Sequence, residues 1–227
     1  MRAIIFANAA LQEPELARAA IQPGDLLIAA DGGALHFRRL GLTPAILIGD
    51  FDSLDEAALK EFKAAGAEII RHPARKDYTD LELALRYALE QGAEEILVLA
   101  ALGQRWDQTL ANLLLPAAAD LAAVRISLMD GPQEILLLRS GGHLEVRGRP
   151  GDTVSLIPLG GDARGVTTRR LEYPLRQETL LFGSTRGISN VLLAATAQVT
   201  LQEGLLLCVI IHHSGLGTRY QGLGADP

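Results

Sequence analysis

At Asp130-Gly131-Pro132 the chain changes texture. Before that point, apolar runs alternate with helix-length amphipathic stretches. After it, short strand-like runs are separated by glycine turns such as Ser140-Gly141-Gly142 and Gly160-Gly161-Asp162. Strands alternating with helices build βαβ units around a parallel sheet, whereas regularly spaced short strands build a β-sandwich. The expected fold class is therefore α/β. A Rossmann-like, mostly parallel sheet domain over 1–131 is followed by an all-β sandwich domain over 132–214 and a Gly-rich, disordered tail over 215–227.

The pattern predicts strands over 3–7, 25–30, 45–48, 68–71, 95–101 and 124–129. It predicts helices over 13–20, 34–40, 54–65, 79–90 and 106–123, the last broken or kinked at Pro116. Past the boundary, strand-like runs cover 134–139, 143–146, 153–158, 165–171, 192–201 and 205–212, with no convincing helix.

Bulk properties narrow the function. Apolar content of 48% supports a real core, and the net charge of −6 argues against a nucleic-acid surface. It leaves room for a phosphate ligand reached through a cation. Cys208 is the only cysteine, which excludes an internal disulfide and a Cys-based zinc site and fits a reducing, cytoplasmic setting. The first residues read as a strand rather than a signal peptide. The longest apolar stretch, 110–124, is interrupted by Asn112, Pro116 and Asp120 and is too short to span a bilayer, so no membrane role is expected.

Chemistry-bearing residues gather where predicted strands end. In Ile46-Leu47-Ile48-Gly49-Asp50-Phe51-Asp52-Ser53 an apolar run stops at glycine and two carboxylates follow. Ligands of open α/β sheets bind at that edge, and close carboxylates repel unless a cation lies between them. Hard oxygen ligands at such spacing suit Mg²⁺ carrying a phosphorylated substrate; an Asp-rich turn is the plain alternative. Asp31-Gly32-Gly33 lets backbone approach a phosphate, or is simply a tight turn. In Lys76-Asp77-Tyr78-Thr79-Asp80-Leu81-Glu82, Thr79 and Glu82 form a capping box, which leaves Lys76, Asp77 and Asp80 unexplained; Lys76 suits a phosphate, and Asp80 either completes a metal site or is simply favoured by the helix dipole. In Gly103-Gln104-Arg105-Trp106-Asp107-Gln108, Arg105 offers a planar fork for phosphate, and Asp107 either caps the helix or holds Arg105. Together these clusters predict a Mg²⁺-nucleotide site for phosphoryl-type transfer. Neither a G-x-x-x-x-G-K-[ST] nor a G-x-G-x-x-G motif is present.

These motifs, with Leu110-Ala111-Asn112 and Arg186-Gly187-Ile188-Ser189-Asn190, together resemble the thiamine pyrophosphokinase family and follow its order along nearly the whole chain. The resemblance implies an α/β domain joined to a β-sandwich and a cytoplasmic homodimer. It implies ATP as co-substrate and a reaction that moves the terminal diphosphate of ATP onto the hydroxyethyl oxygen of thiamine, releasing AMP. By resemblance, Asp50, Asp52 and Asp80 hold Mg²⁺, while Asp31, Gly32, Lys76, Asp77, Thr79, Arg105, Asp107 and Gln108 line the nucleotide and diphosphate. Asp50, Asp52, Asp80 and Arg105 carry the catalysis. Ser189 and Asn190 lie at a thiamine pocket shared across the dimer, with 192–195 and 205–211 in the subunit contact. Gln104 stands where many members have glycine, Gln108 where many bacterial members have His, and Leu205-Leu206-Leu207-Cys208 offers no tryptophan to stack on thiamine. The alternatives are a diphosphokinase for another heteroaromatic alcohol such as a hydroxymethylpterin, a metal-dependent glycosyl- or nucleotidyltransferase, and a non-catalytic nucleotide-binding scaffold.

Overall fold

A computed structural model describes residues 1–213; the tail expected over 215–227 lies outside the described residues. The chain divides into two compact units, one covering Met1–Gly131 and one beginning at Pro132.

The first unit runs β1 (Arg2–Phe6), α1 (Pro14–Ala19), β2 (Leu26–Ala30), α2 (Ala34–Leu40), β3 (Ile46–Gly49), α3 (Glu56–Ala64), β4 (Glu68–Arg71), α4 (Asp80–Glu90), β5 (Glu95–Leu99), α5 (Trp106–Leu114) and β6 (Arg125–Asp130). Its strands lie in the order β6-β5-β1-β2-β3-β4, and the neighbours pair in parallel. The unbroken apolar runs are buried on both sides: Ala3, Ile4, Ile5 and Phe6 of β1 are all fully buried. Local rules place the element ends. Gly41 takes φ 64° to close α2, and Asp55 caps α3 by accepting from the Ala58 N–H at 2.6 Å. The helix expected to reach residue 123 stops at Leu114 and gives way to 3₁₀ turns at Leu115–Ala117 and Ala119–Leu121. Pro116 cannot donate to the helical ladder, and its ring crowds the preceding turn.

Strand β1 has β2 on one side and β5 on the other, so the chain direction across the sheet reverses there. The crevice beyond the carboxyl ends at such a reversal is where open α/β sheets bind ligands. Just past β2, β3 and β5 come three non-glycine residues at positive φ: Asp31 at 47°, Phe51 at 64° and Ala100 at 54°. Each such residue costs on the order of 1 kcal/mol or more, and such strain concentrates at functional edges.

The second unit runs β7 (Gln133–Arg139), β8 (His143–Arg147), β9 (Thr153–Pro158), β10 (Ala163–Arg169), β11 (Glu178–Leu180), β12 (Asn190–Val191), β13 (Thr196–Thr200) and β14 (Leu205–Ile211). Four strands lie in the order β12-β9-β14-β7 and a second four-stranded sheet in the order β11-β10-β13-β8, all antiparallel pairs. One apolar cluster draws on both sets, with Leu136, Val154, Leu156, Leu206, Cys208 and Ile210 from the first and Val146, Val166, Leu180, Ala197 and Val199 from the second. The strand expected over 192–201 begins only at Thr196, because Leu192 is used in an isolated bridge to Leu171. Run 205–211 is an interior strand between β7 and β9, and its Leu206, Cys208 and Ile210 lie in this unit's core cluster. Among the described residues no helix is long and apolar enough to cross a membrane.

Candidate functional site

A cleft of about 480 Å³ opens at the carboxyl edge of the parallel sheet. Asn8 follows β1, Asp31 follows β2 and Asp50 follows β3; Lys76 comes from the loop before α4, Thr79 and Asp80 from its start, Arg105 from the residue before α5, and Asp107, Gln108 and Asn112 from α5 itself. Among the other residues singled out in the sequence, Asp77 is exposed and Gly32 is buried. A Cβ at Gly32 would collide with the Asn8 carboxamide, so only glycine lets that side chain lie where it does. Ser189 and Asn190 belong to the second unit.

Asp31, Asp50 and Asp52 bring carboxylate oxygens to within 4.8 Å of one another. Their environments differ. Asp31 is 7% exposed, and its Oδ2 accepts from Ser53 Oγ at 2.7 Å and Asn8 Nδ2 at 3.3 Å. Its Oδ1 is buried with no hydrogen-bond partner. Asp50 Oδ1 accepts from the Asp52 N–H at 3.2 Å. A carboxylate with one buried oxygen lacking a donor, clustered with two more carboxylates, fits a hard divalent cation and leaves negative charge uncompensated without one.

Asp80 is engaged by a different partner. Its Oδ1 accepts from Lys76 Nζ at 2.7 Å, and the same ammonium lies 3.6 Å from Asp50 Oδ2. Burial pushes the Asp80 carboxyl above its ordinary range; Lys76 opposes this, and Asp50 and Asp31 reinforce it. Burial works against the Lys76 charge, but the hydrogen bond to Asp80 and the fields of Asp80 and Asp50 outweigh it, so the ammonium is held more tightly than usual. One lysine thus faces more carboxylate than it can neutralise.

Backbone and flanking groups hold this edge in place. The Arg71 guanidinium donates to the Asp50 carbonyl at 3.0 Å and lies over the Phe51 ring at 5.2 Å, pinning the residue that carries the positive φ. Thr79 Oγ1 accepts from the Glu82 N–H at 3.2 Å, which is one half of the capping box. The Glu82 carboxylate turns to Arg86 instead, at 2.9 Å. At the cleft mouth Arg105 grips Asp107 with two bonds, Nε to Oδ1 at 2.9 Å and Nη2 to Oδ2 at 2.5 Å. The Arg105 bond holds the Asp107 carboxyl down to about 2. Thr109 Oγ1 accepts from the Gly103 N–H at 3.0 Å, and Asn112 Nδ2 donates to the Ala101 carbonyl at 2.7 Å, so the loop before α5 is tied to its first turns.

In the second unit Ser189 is exposed at φ 59°, and its N–H donates to Ser155 Oγ at 3.0 Å. Asn190 is 8% exposed. Its Oδ1 accepts from the N–H groups of Tyr173 at 3.0 Å and Val191 at 2.9 Å, and its Nδ2 donates to the Tyr173 carbonyl at 2.7 Å. The carboxamide is spent on the backbone.

Asn8, Ser53 and Arg71 join the site without having been singled out for it in the sequence. A polar residue directly after the first strand, at the point where strand order reverses, was the available signal for Asn8. Ser53 lay in the segment whose plain alternative was an Asp-rich turn, and Arg71 at a strand end.

A parallel α/β unit whose carboxyl edge carries clustered carboxylates, a half-buried lysine and an arginine fork around one cleft is built as an enzyme that transfers phosphoryl or diphosphoryl groups. Residues 17–128 match the family model "Thiamin pyrophosphokinase, catalytic domain", and residues 143–206 match "Thiamin pyrophosphokinase, vitamin B1 binding domain". The chain belongs to the thiamine pyrophosphokinase family. It is 29% identical over 184 residues to the thiamine pyrophosphokinase of Bacillus subtilis, covering 81% of this chain and 86% of that protein. It is 27% identical to thiamine pyrophosphokinase 1 of Oryza sativa subsp. japonica, covering 77% of this chain and 69% of that one. The crystal structure of the Bacillus subtilis enzyme superposes with a TM-score of 0.85 at 25% identity, over 94% of this chain and 100% of that one. That of the Geobacillus thermodenitrificans enzyme gives 0.81 at 27% identity, over 94% and 99%.

Proposed function

We propose that this protein is a thiamine diphosphokinase, moving the terminal diphosphate of ATP onto the hydroxyethyl oxygen of thiamine and releasing AMP. The observation that carries the reading is the matching of both domain models of one family, in order, on a chain whose cleft holds the charges the reaction needs. The vitamin B1 match over 143–206 is what sets thiamine ahead of a hydroxymethylpterin or a sugar acceptor.

In this reading the thiamine oxygen attacks the β-phosphorus of ATP. The bond from that phosphorus to the oxygen bridging it to the α-phosphate breaks, AMP leaves, and the hydroxyl proton passes to a cleft carboxylate. Lys76 and Arg105 offset phosphate charge, with Asp107 holding the Arg105 fork and Asp31, Gly32, Asp77, Thr79 and Gln108 framing the nucleotide. Asp50 and Asp52 are proposed Mg²⁺ ligands, with Asp31 beside them offering its unpartnered oxygen. Asp80, the third ligand implied by the family, would join by yielding its bond to Lys76. Bound Mg²⁺ would neutralise phosphate oxygens there. Ser189 is proposed to meet thiamine, and Asn190 to hold the turn that presents it.

We take the first unit to be Rossmann-like, the second to be a sandwich, and the enzyme to be a cytosolic homodimer whose sites are shared between subunits. Exposed Trp106, Leu110 and Leu114 on one stripe of α5, and Leu181, Phe182 and Leu193 in the second unit, support a subunit contact. The lone, buried Cys208 supports a reducing compartment. Incubation with ATP, Mg²⁺ and thiamine tests the central claim: thiamine diphosphate and AMP should appear in equal amounts. Release of ADP, or nucleotide turnover indifferent to thiamine, would refute it.

A further inference from the structure

The buried Asp31 carboxylate has two unlike oxygens. Oδ2 takes two donors, the Ser53 hydroxyl at 2.7 Å and the Asn8 amide at 3.3 Å. Oδ1 takes none, although it is buried and Asp31 borders the cleft. The two donors are themselves linked, Asn8 Nδ2 to Ser53 Oγ at 3.2 Å, and Ser53 Oγ also lies 3.1 Å from Asp52 Oδ1. Asn8 follows β1, Asp31 follows β2 and Ser53 follows β3, so the triangle ties together three adjacent strand ends. A Cβ at Gly32 would collide with the Asn8 carboxamide in this position, so the glycine leaves room for the contact.

We infer that Asn8 and Ser53 are positioning residues that lock the Asp31 carboxylate in place beside Asp50 and Asp52, with Oδ2 held by donors and Oδ1 left without one. The inference rests on the proposed metal-dependent reading of the cleft. A carboxylate pivots easily about its terminal torsion, and a free rotor would present either oxygen or both. Two donors on Oδ2 remove that freedom. Donors that orient a ligand from behind tune metal affinity without touching the metal, and their loss typically costs about 10–100-fold in affinity. Ser53 Oγ is within donating distance of both Asp31 Oδ2 and Asp52 Oδ1, and its one proton serves one of them at a time, so the hydroxyl ties the two carboxylates to a common point.

The test is Mn²⁺ binding to the full chain without nucleotide, followed by electron paramagnetic resonance of free Mn²⁺. Wild type, Asn8→Ala, Ser53→Ala, Ser53→Thr and Asp52→Asn are compared, with melting temperature measured in chelator. Asn8 and Ser53 are exposed, so truncation leaves the core untouched. The expected result is a Kd for Mn²⁺ raised by about 10-fold or more in Asn8→Ala and Ser53→Ala, and restored towards wild type in Ser53→Thr, which keeps the hydroxyl. A merely structural role would lower the metal-free melting temperature and leave Kd alone. If Asp52→Asn loses Mn²⁺ while Asn8→Ala and Ser53→Ala stay within about threefold of wild type, the positioning role is overturned and the metal reading stands. If wild type binds no Mn²⁺, both fall.

Discussion

Replacing Asn190 with alanine should damage the fold before it damages thiamine recognition. The side chain is 8% exposed and makes three bonds to backbone groups: two accepted from the Tyr173 and Val191 N–H groups and one donated to the Tyr173 carbonyl. These bonds clip the turn before β12 onto the segment that follows β10. A net hydrogen bond is worth about 1 kcal/mol, and a donor left buried without a partner costs more than a bond merely lost. Tyr173 is exposed, so its freed carbonyl regains water and reduces the sum. The loss is therefore about 2–3 kcal/mol, which for a chain of this size lowers the melting temperature by roughly 5–10 °C. Asn190→Asp keeps both acceptor bonds but turns an oxygen towards the Tyr173 carbonyl, so it should be destabilised as well. Thermal and urea unfolding of both variants, with the thiamine KM measured well below the melting point, makes the assay. A melting temperature within about 2 °C of wild type combined with a large rise in thiamine KM would refute the argument and place the carboxamide on the substrate.

Other outcomes follow from the same geometry. Asp50→Asn or Asp52→Asn should leave the melting temperature nearly unchanged and cut turnover by orders of magnitude, since several kcal/mol of transition-state stabilisation go with a metal ligand; activity within about tenfold of wild type in both would end that assignment. Arg105→Lys keeps the charge but not the fork, so turnover should fall, and a lysine variant as active as wild type would reduce Arg105 to a surface charge. With its carboxyl held at about 2 by Arg105, Asp107 supports the folded state above its ordinary value, and that support is lost as pH falls towards 2; a carbon-13 titration showing an ordinary midpoint would refute the pairing. Burial pushes the Cys208 thiol up to about 12, so Ellman's reagent should react with it only after denaturation, and rapid reaction with native protein would show that β14 opens. Mixing Asp52→Asn chains with Ser189→Ala chains under subunit exchange should recover activity if each site draws on two subunits, whereas no recovery would confine each site to one chain.

Local pattern was enough to place most elements. Helix 34–40 and strands 68–71 and 153–158 form where the periodicity puts them, because hydrophobic spacing and a terminal glycine act within a few residues. Elements of two and three residues, β11 and β12, carry no period to read; long-range pairing creates them. The end of α5 at Leu114 was half legible, since Pro116 marks a break but not how far back the helix unwinds.

The sequence by itself determined the chemistry available to the cleft: carboxylates, one lysine and one arginine, each placed directly after an apolar run or at the start of a helix. It could do so because a buried parallel strand must end before its charges begin. Tertiary structure decided how those groups are shared out. Asp31 joins Asp50 and Asp52 in one carboxylate cluster, while Asp80 is taken up by Lys76. Ser53 reaches back 22 residues to Asp31, and Asn8 reaches forward 45 residues to Ser53. Asn190, a polar residue in a promising motif, is consumed by the backbone of Tyr173. The physical reason is that hydrogen bonding is directional and saturable. Which oxygen of a carboxylate is filled, and which is left without a partner, depends on donors that only the folded chain brings within 3.5 Å.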